Sequence, residues 1–256
     1  INLHLIRSWK TRAIMFKPDG SVTVPADMLY KKNVLTIRGS FKPVTRLNVD
    51  MIEQGERSFN TLNGLDGEST IAIAEISLND LHGNDAKVPE ADIIARVQLL
   101  NSLGYSVMIS DYTRYFSLRA YFRQYTKLQI GIVVGMMNMR QIFDEQFYRG
   151  VEGGILEAFG KLFPDNTRIF VYPELENGED IVDFTQVKVP EHLRYLYQHL
   201  LVNNFISGIE CSDKKLLKIY SREVLKQIST GQPGWEDKVP EVISKEIKDN
   251  KLLGYK

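Results

Sequence analysis

Four short, nearly unbroken apolar runs recur along this 256-residue chain, at 34–37, 105–109, 128–134 and 168–172, and helix-forming stretches separate them. A strand with one wet face alternates apolar and polar residues. An unbroken run instead marks a strand covered on both sides, the signature of a parallel sheet between two helical layers. The expected fold class is therefore α/β, a doubly wound, Rossmann-like parallel sheet. Helical spacing predicts helices over 46–59, 70–81, 89–104, 115–125, 139–147 and 155–163. The second rests on Ile73, Ile76 and Leu81, and the third on Ile93, Val97, Leu100 and Leu103 before Gly104.

Residues 1–32 hold a turn at 16–20 and a short alternating strand at 21–24, and read as an N-terminal extension of a domain spanning 33–256. The first residue is Ile1, which fits a chain continuing from an upstream region. After Pro173 the character changes. An acidic loop over 174–183 precedes helices expected at 190–206, 214–228 and 239–250, so 174–256 reads as a mostly helical C-terminal part that caps one side of the sheet. There is no internal repeat or low-complexity tract.

Lysine and arginine together number 32, as do aspartate and glutamate, so the formal net charge is zero and no global field favours nucleic acid or an acidic membrane. The expected partner is a small molecule, with a homo-oligomer left open. The single cysteine, Cys211, cannot close an intrachain disulfide, and zinc spacing is absent, which fits a reducing, cytoplasmic setting. The longest apolar stretch, 128–137, is too short to cross a bilayer. His192 and His199 share a helical face two turns apart and read as packing residues, so no metal site is expected. No nucleophile elbow supports a serine triad.

Ligands of an open parallel sheet bind beyond the carboxyl ends of its strands. The first strand runs into Gly39, Ser40, Phe41 and Lys42, then Thr45, Arg46 and Asn48. Glycine lets a ligand approach the backbone, Thr45 can cap a helix whose amides face an anion, and Lys42 and Arg46 add positive charge. The same residues also make an ordinary strand-to-helix turn. Ser110-Asp111 could hydrogen-bond a ribose or cap a helix, and the glycines at 150–154 could bind an anion or act as a linker.

The run Gly39-Ser-Phe-Lys-Pro-Val-Thr-Arg-Leu-Asn-Val-Asp-Met51 resembles the first-strand signature of the nucleotidylyltransferases that make NAD and coenzyme A precursors, G-[ST]-F-[DN]-P-[IVP]-[HT]-x-G-H-[LI]. Gly39, Ser40, Phe41, Pro43, Val44, Thr45 and Asp50 fit it. The segment from Tyr220 through Gly231, Trp235 and Val239-Pro240 to Tyr255 is similar to the family's closing motif, [ST]-S-T-x-[IV]-R followed by V-P-x-x-V and leucine-tyrosine. The resemblance covers about 33–256. It implies a nucleotidylyltransferase-like fold and attack of a phosphate-ester oxygen on the α-phosphate of ATP, with release of pyrophosphate and help from Mg2+; the nicotinate mononucleotide class is the implied acceptor. By the same resemblance Lys42, Thr45 and Asn48 are catalytic candidates. Gly39, Ser40, Phe41, Arg46, Ser221, Arg222 and Lys226 are nucleotide-binding candidates, and Asp111, from its place at a strand end, is a substrate-binding candidate.

The match departs from the family pattern at the reacting centre. Lys42 replaces an acid or amide, Leu47 a glycine and Asn48 the second histidine, while Leu225 occupies the closing arginine position. Asn48 can donate a neutral hydrogen bond but carries no charge. Losing such a donor without compensation costs about 2.7–4 kcal/mol of transition-state stabilisation. Two expectations follow: an adenylyltransferase whose neighbouring cations compensate, or an inactive nucleotide-binding sensor module of the same fold.

Overall fold

The computed structural model describes residues 11–78, 89–164 and 166–255. Its strands are β1 (Ala13–Phe16), β2 (Val22–Thr23), β3 (Asn33–Arg38), β4 (Thr70–Ser77), β5 (Ser106–Ser110), β6 (Ile130–Gly135), β7 (Thr167–Tyr172), β8 (Glu174–Glu176), β9 (Asp180–Val182) and β10 (Ile206–Gly208). Eight of them form one sheet in the order β10-β7-β6-β3-β4-β5-β1-β2. The six from β10 to β5 are parallel, and β1 pairs antiparallel with both β5 and β2. Strand alternation divides the core into two layers. β3 sends Leu35 and Ile37 to one face and Val34 to the other, and the same split runs through β4 to β7.

Helices cover both faces, as the apolar runs require. On the first face lie α2 (Arg46–Asn63) and α3 (Glu90–Ser102), following α1 (Pro25–Leu29) in the chain. The opposite face carries α4 (Tyr115–Arg123), α5 (Met136–Ile142), α6 (Gly154–Leu162) and α7 (Arg194–Val202). Two further helices, α8 (Ser221–Thr230) and α9 (Glu241–Asp249), return to the face of α2. Counted in chain order, the parallel strands lie 3-2-1-4-5-6, and the connections change face between β3 and its neighbour β6. That is the doubly wound switch point, where such sheets bind ligands.

Several sequence expectations change here. Residues 70–77 form the sheet strand β4 and not a helix; Leu81 lies outside the described residues. The strand's side chains obey a period of two, with Ile73 on one face and Ala74 and Ile76 on the other, and Glu75 is buried. The acidic stretch at 174–183 is an antiparallel hairpin, β8 with β9. Ile206 opens β10, which pairs parallel to β7 and does not continue the preceding helix. The 214–228 segment divides into a 3-10 turn at Lys214–Lys218 and helix α8. The C-terminal part therefore contributes to both faces and to the sheet. Residues 13–16, within the extension, are bonded to β5 along its edge.

Helix α2 carries the turn of interest, and its seat is set by Gly131 in β6. A Cβ there would stand 2.6 Å from Phe59 and 2.7 Å from Leu35, both fully buried. Gly131→Ala is expected to destabilise the protein by about 1–3 kcal/mol through overpacking, read as a lower urea midpoint at unchanged slope. The far end of α2 stops at Gly64, whose φ of 63° supplies the left-handed cap.

Candidate functional site at the carboxyl edge of the sheet

The turn from β3 into α2 is held from three sides. The amide of Gly39 donates to the Glu75 carbonyl (3.1 Å), and a Cβ at Gly39 would lie 3.0 Å from the Phe41 ring. Phe41 itself is buried in the core with φ of 46°, so it shapes the turn from below. Arg96 of α3, nearly fully buried, donates to the Ser40 carbonyl (3.1 Å) and pairs with Asp92. Asp92 also takes the Lys42 ammonium at 2.8 Å. Ser40 is exposed.

Thr45 is wholly buried and caps α2 in a reciprocal arrangement. Its hydroxyl accepts from the Asn48 amide (3.4 Å), while Asn48 Oδ1 accepts from the Thr45 amide (3.0 Å) and hydroxyl (2.9 Å). Asn48 therefore spends its carbonyl on the cap. Its Nδ2 is the part with donor capacity to spare. Arg46 is exposed and donates to the Asp237 carbonyl at 2.9 Å, which ties the first turn of α2 to the segment after α8.

A cavity of about 520 Å³ opens beside this turn, lined by Lys42, Asp92, Leu225, Ser229, Lys251 and Leu252 among others. Lys42 of the Gly39 turn and Leu225 and Ser229 of the Ser221 helix thus border one cavity. The residues within α8 divide differently from expectation. Leu225 and Ser229 reach the cavity, whereas Arg222 and Lys226 are exposed beside them on the same helical face, and Ser221 opens the helix.

On the opposite face the switch point itself is occupied by a residue sequence reasoning missed. Arg38, at the end of β3, forms a buried bidentate pair with Glu75 (2.5 and 3.0 Å) and donates to the carbonyls of Tyr112 (2.6 Å) and Thr113 (3.0 Å). Ser110 hydrogen-bonds the same carboxylate. The guanidinium lies 4.8 Å from the Tyr115 ring centre, and Asn138 donates to the Tyr115 hydroxyl at 2.7 Å. Arg38 thereby fixes the 112–115 loop as a wall of a small crevice of about 80 Å³ with Asn138 and Phe147. A wider cavity of about 390 Å³ adjoins it, lined by Arg12, Thr113, Arg114, Ser117, Gln146 and Phe147. Asp111 sits nearby and pairs with Arg12 at 2.9 Å. The only available signal was Glu75 on a neighbouring strand, and that required reading 70–77 as a strand.

A third cavity, about 690 Å³, lies beyond β7 and β10 and includes Asp183, Glu210, Cys211, Ser212 and Lys214. Asp50, matched in the first motif, is buried in the wall behind it, where it accepts from the Tyr172 hydroxyl and the Ser212 amide (3.1 Å). Burial, then the hydrogen bond to Asp50, holds the Tyr172 hydroxyl well above its usual pKa. Burial, then Asp50, pushes the Cys211 thiol up as well. Asp50 is thus a brace between α2 and the strand ends.

Two other sequence candidates are accounted for locally. The Gly153 amide is taken by Glu157 at 2.7 Å, which fills the anion position at the start of α6. His192 pairs with Glu145 at the surface and His199 stacks on Phe205. Among the described residues no group of three or more His, Cys, Asp or Glu could hold a metal ion, and no helix is long and apolar enough to cross a membrane.

No protein-family model and no curated protein matches the chain. Among solved structures, a Plasmodium falciparum nicotinic acid mononucleotide adenylyltransferase complexed with NaAD superposes with a TM-score of 0.55 at 13% identity, over 88% of this chain and 98% of that one. The same enzyme complexed with APC gives 0.51 at 11% identity, with the same coverage. In fold, the chain is similar to these adenylyltransferases. The likeness extends over most of both chains and is one of fold.

Proposed function

We propose that this protein is a nucleotidylyltransferase that transfers AMP from ATP to a mononucleotide of the nicotinate class. The observation that carries the reading is the convergence of the Gly39 turn and α8 on one cavity, within a fold shared with nicotinic acid mononucleotide adenylyltransferases. In the reaction, a phosphate oxygen of the acceptor attacks the α-phosphorus of ATP. The bond to the β-phosphate breaks, and pyrophosphate carries away the electron pair.

The residues present fit a polyphosphate. The first-turn amides of α2, an 18-residue helix, face the turn with Lys42 and Arg46 beside them. Lys42 rests on Asp92 but remains one-third exposed, and such a pair contributes only about 0–1 kcal/mol, so a phosphate can draw the ammonium away. In this arrangement Gly39 and Ser40 border the incoming phosphate, and Phe41 supports them. Lys42, Thr45 and Asn48 meet the α-phosphate, while Arg46, Ser221, Arg222 and Lys226 lie toward the distal ones. Mg2+, when bound, neutralises charge on the phosphates, which would supply most of its ligands, with Asp92 the carboxylate in the lining. The acceptor occupies the Arg38–Tyr115 crevice and its neighbouring cavity, beside Asp111.

The expected result is pyrophosphate release from ATP and Mg2+ with nicotinate mononucleotide, nicotinamide mononucleotide or phosphopantetheine. Lys42→Ala should slow it about a hundred- to a thousandfold, as for loss of one charge-stabilising donor. ATP binding without turnover on any acceptor favours the second reading, a nucleotide-binding sensor. That reading is supported by Leu225, an apolar side chain at the motif's arginine position.

A further inference from the structure

The 520 Å³ cavity has a second lysine in its lining, one that matches no position of either motif. Lys251, five residues from the end of the sequence, contributes to the same lining as Lys42 and Leu225. Asp92, the carboxylate in that lining, is already shared between Lys42 and Arg96. Lys251 is exposed and forms no ion pair among the described residues. The cavity wall therefore carries an excess of positive charge over otherwise largely apolar side chains.

The backbone that delivers Lys251 is held in an unfavourable shape. Lys251 (φ 49°, ψ 44°) and Leu253 (φ 56°, ψ 26°) are both left-handed, a region side chains other than glycine, asparagine and aspartate rarely adopt. Packing on either side keeps them there. Leu252 and Leu253 pack against the core under α8 and α9, and the Tyr255 ring meets Trp235 edge-on at 6.0 Å between centres. A strap so fixed holds Lys251 at the cavity wall.

We propose that Lys251 is a polyphosphate-binding residue, supplying from the C-terminal strap the positive charge that Leu225 lacks. The ligand is the chain of phosphates of a nucleoside triphosphate, with Lys42 toward its α-phosphate and Lys251 at the β,γ-phosphates. The proposal rests on the nucleotide site described above and reassigns its distal contact, because Arg222 and Lys226 do not line the cavity while Lys251 does.

Calorimetric titration of the full chain with inorganic tripolyphosphate, and separately with ATP, tests this. Lys251→Asn removes the charge while asparagine tolerates the left-handed backbone, so its melting temperature should match the wild type. Its affinity for both probes should fall roughly ten- to a hundredfold, the range for one charge-assisted contact, and Lys251→Arg should restore it. Unchanged binding by Lys251→Asn alongside weakened binding by Lys42→Ala would overturn the assignment of Lys251 and leave the site standing. Failure of arginine to rescue would likewise overturn it. A wild type that binds neither probe would remove both this inference and the proposed function.

Discussion

Glu75→Ala is expected to destabilise the protein by about 3–5 kcal/mol, a larger loss than for any surface substitution. The carboxylate is fully buried and takes two bonds from Arg38 and one from Ser110, so truncation strands a guanidinium within the sheet. Urea unfolding measures it directly. Replacing the pair together, Arg38→Met with Glu75→Leu, should cost less than Glu75→Ala alone because no charge is left uncompensated. A loss below about 1 kcal/mol in Glu75→Ala would mean the pair is hydrated and not part of the sheet interior. The double variant should still lose acceptor affinity, since Arg38 positions the carbonyls of Tyr112 and Thr113.

The second large effect concerns Asn48, whose Oδ1 serves the cap and whose Nδ2 is the donor in the proposed reaction. Asn48→Ala breaks the cap on α2 and should cost about 0.5–2 kcal/mol. Asn48→Asp keeps an acceptor for the Thr45 amide and places a negative charge at a helix N-terminus, which should leave stability unchanged or raise it by about 0.3–1 kcal/mol. Both variants lack the Nδ2 donor, and both should lower the rate of AMP transfer about a hundredfold or more. Steady-state turnover measured beside thermal melting separates the tasks. An Asn48→Asp protein with full activity would reduce Asn48 to a capping residue.

Asn48 also marks how far the sequence was legible. Its place after a strand and near two cations was readable, and the resemblance aligned it with a histidine. Its reciprocal bond to Thr45 was not, because the usual partner at that spacing is glutamate or glutamine. The sheet was largely readable for a physical reason: strands buried on both faces have little choice but to be apolar throughout, so β3, β5, β6 and β7 announce themselves. β4 did not, since it carries Glu75 in a position that only Arg38, on another strand, makes tolerable. β10 has three residues, too few for any period. Lys251 escaped for a related reason. A lone lysine near a terminus has no local pattern, and its meaning depends on the cavity that Lys42 and Leu225 share with it.

Strand β1 has a consequence for how the molecule is made. Its partner β5 lies some hundred residues later in the chain, so this strand must wait until β3, β4 and β5 have been made before docking. Until it does, β5 offers a bare row of amides and carbonyls to any passing strand. Crowded expression of forms shortened past Phe16 would then favour sticky assemblies, even with the turn between β3 and α2 intact.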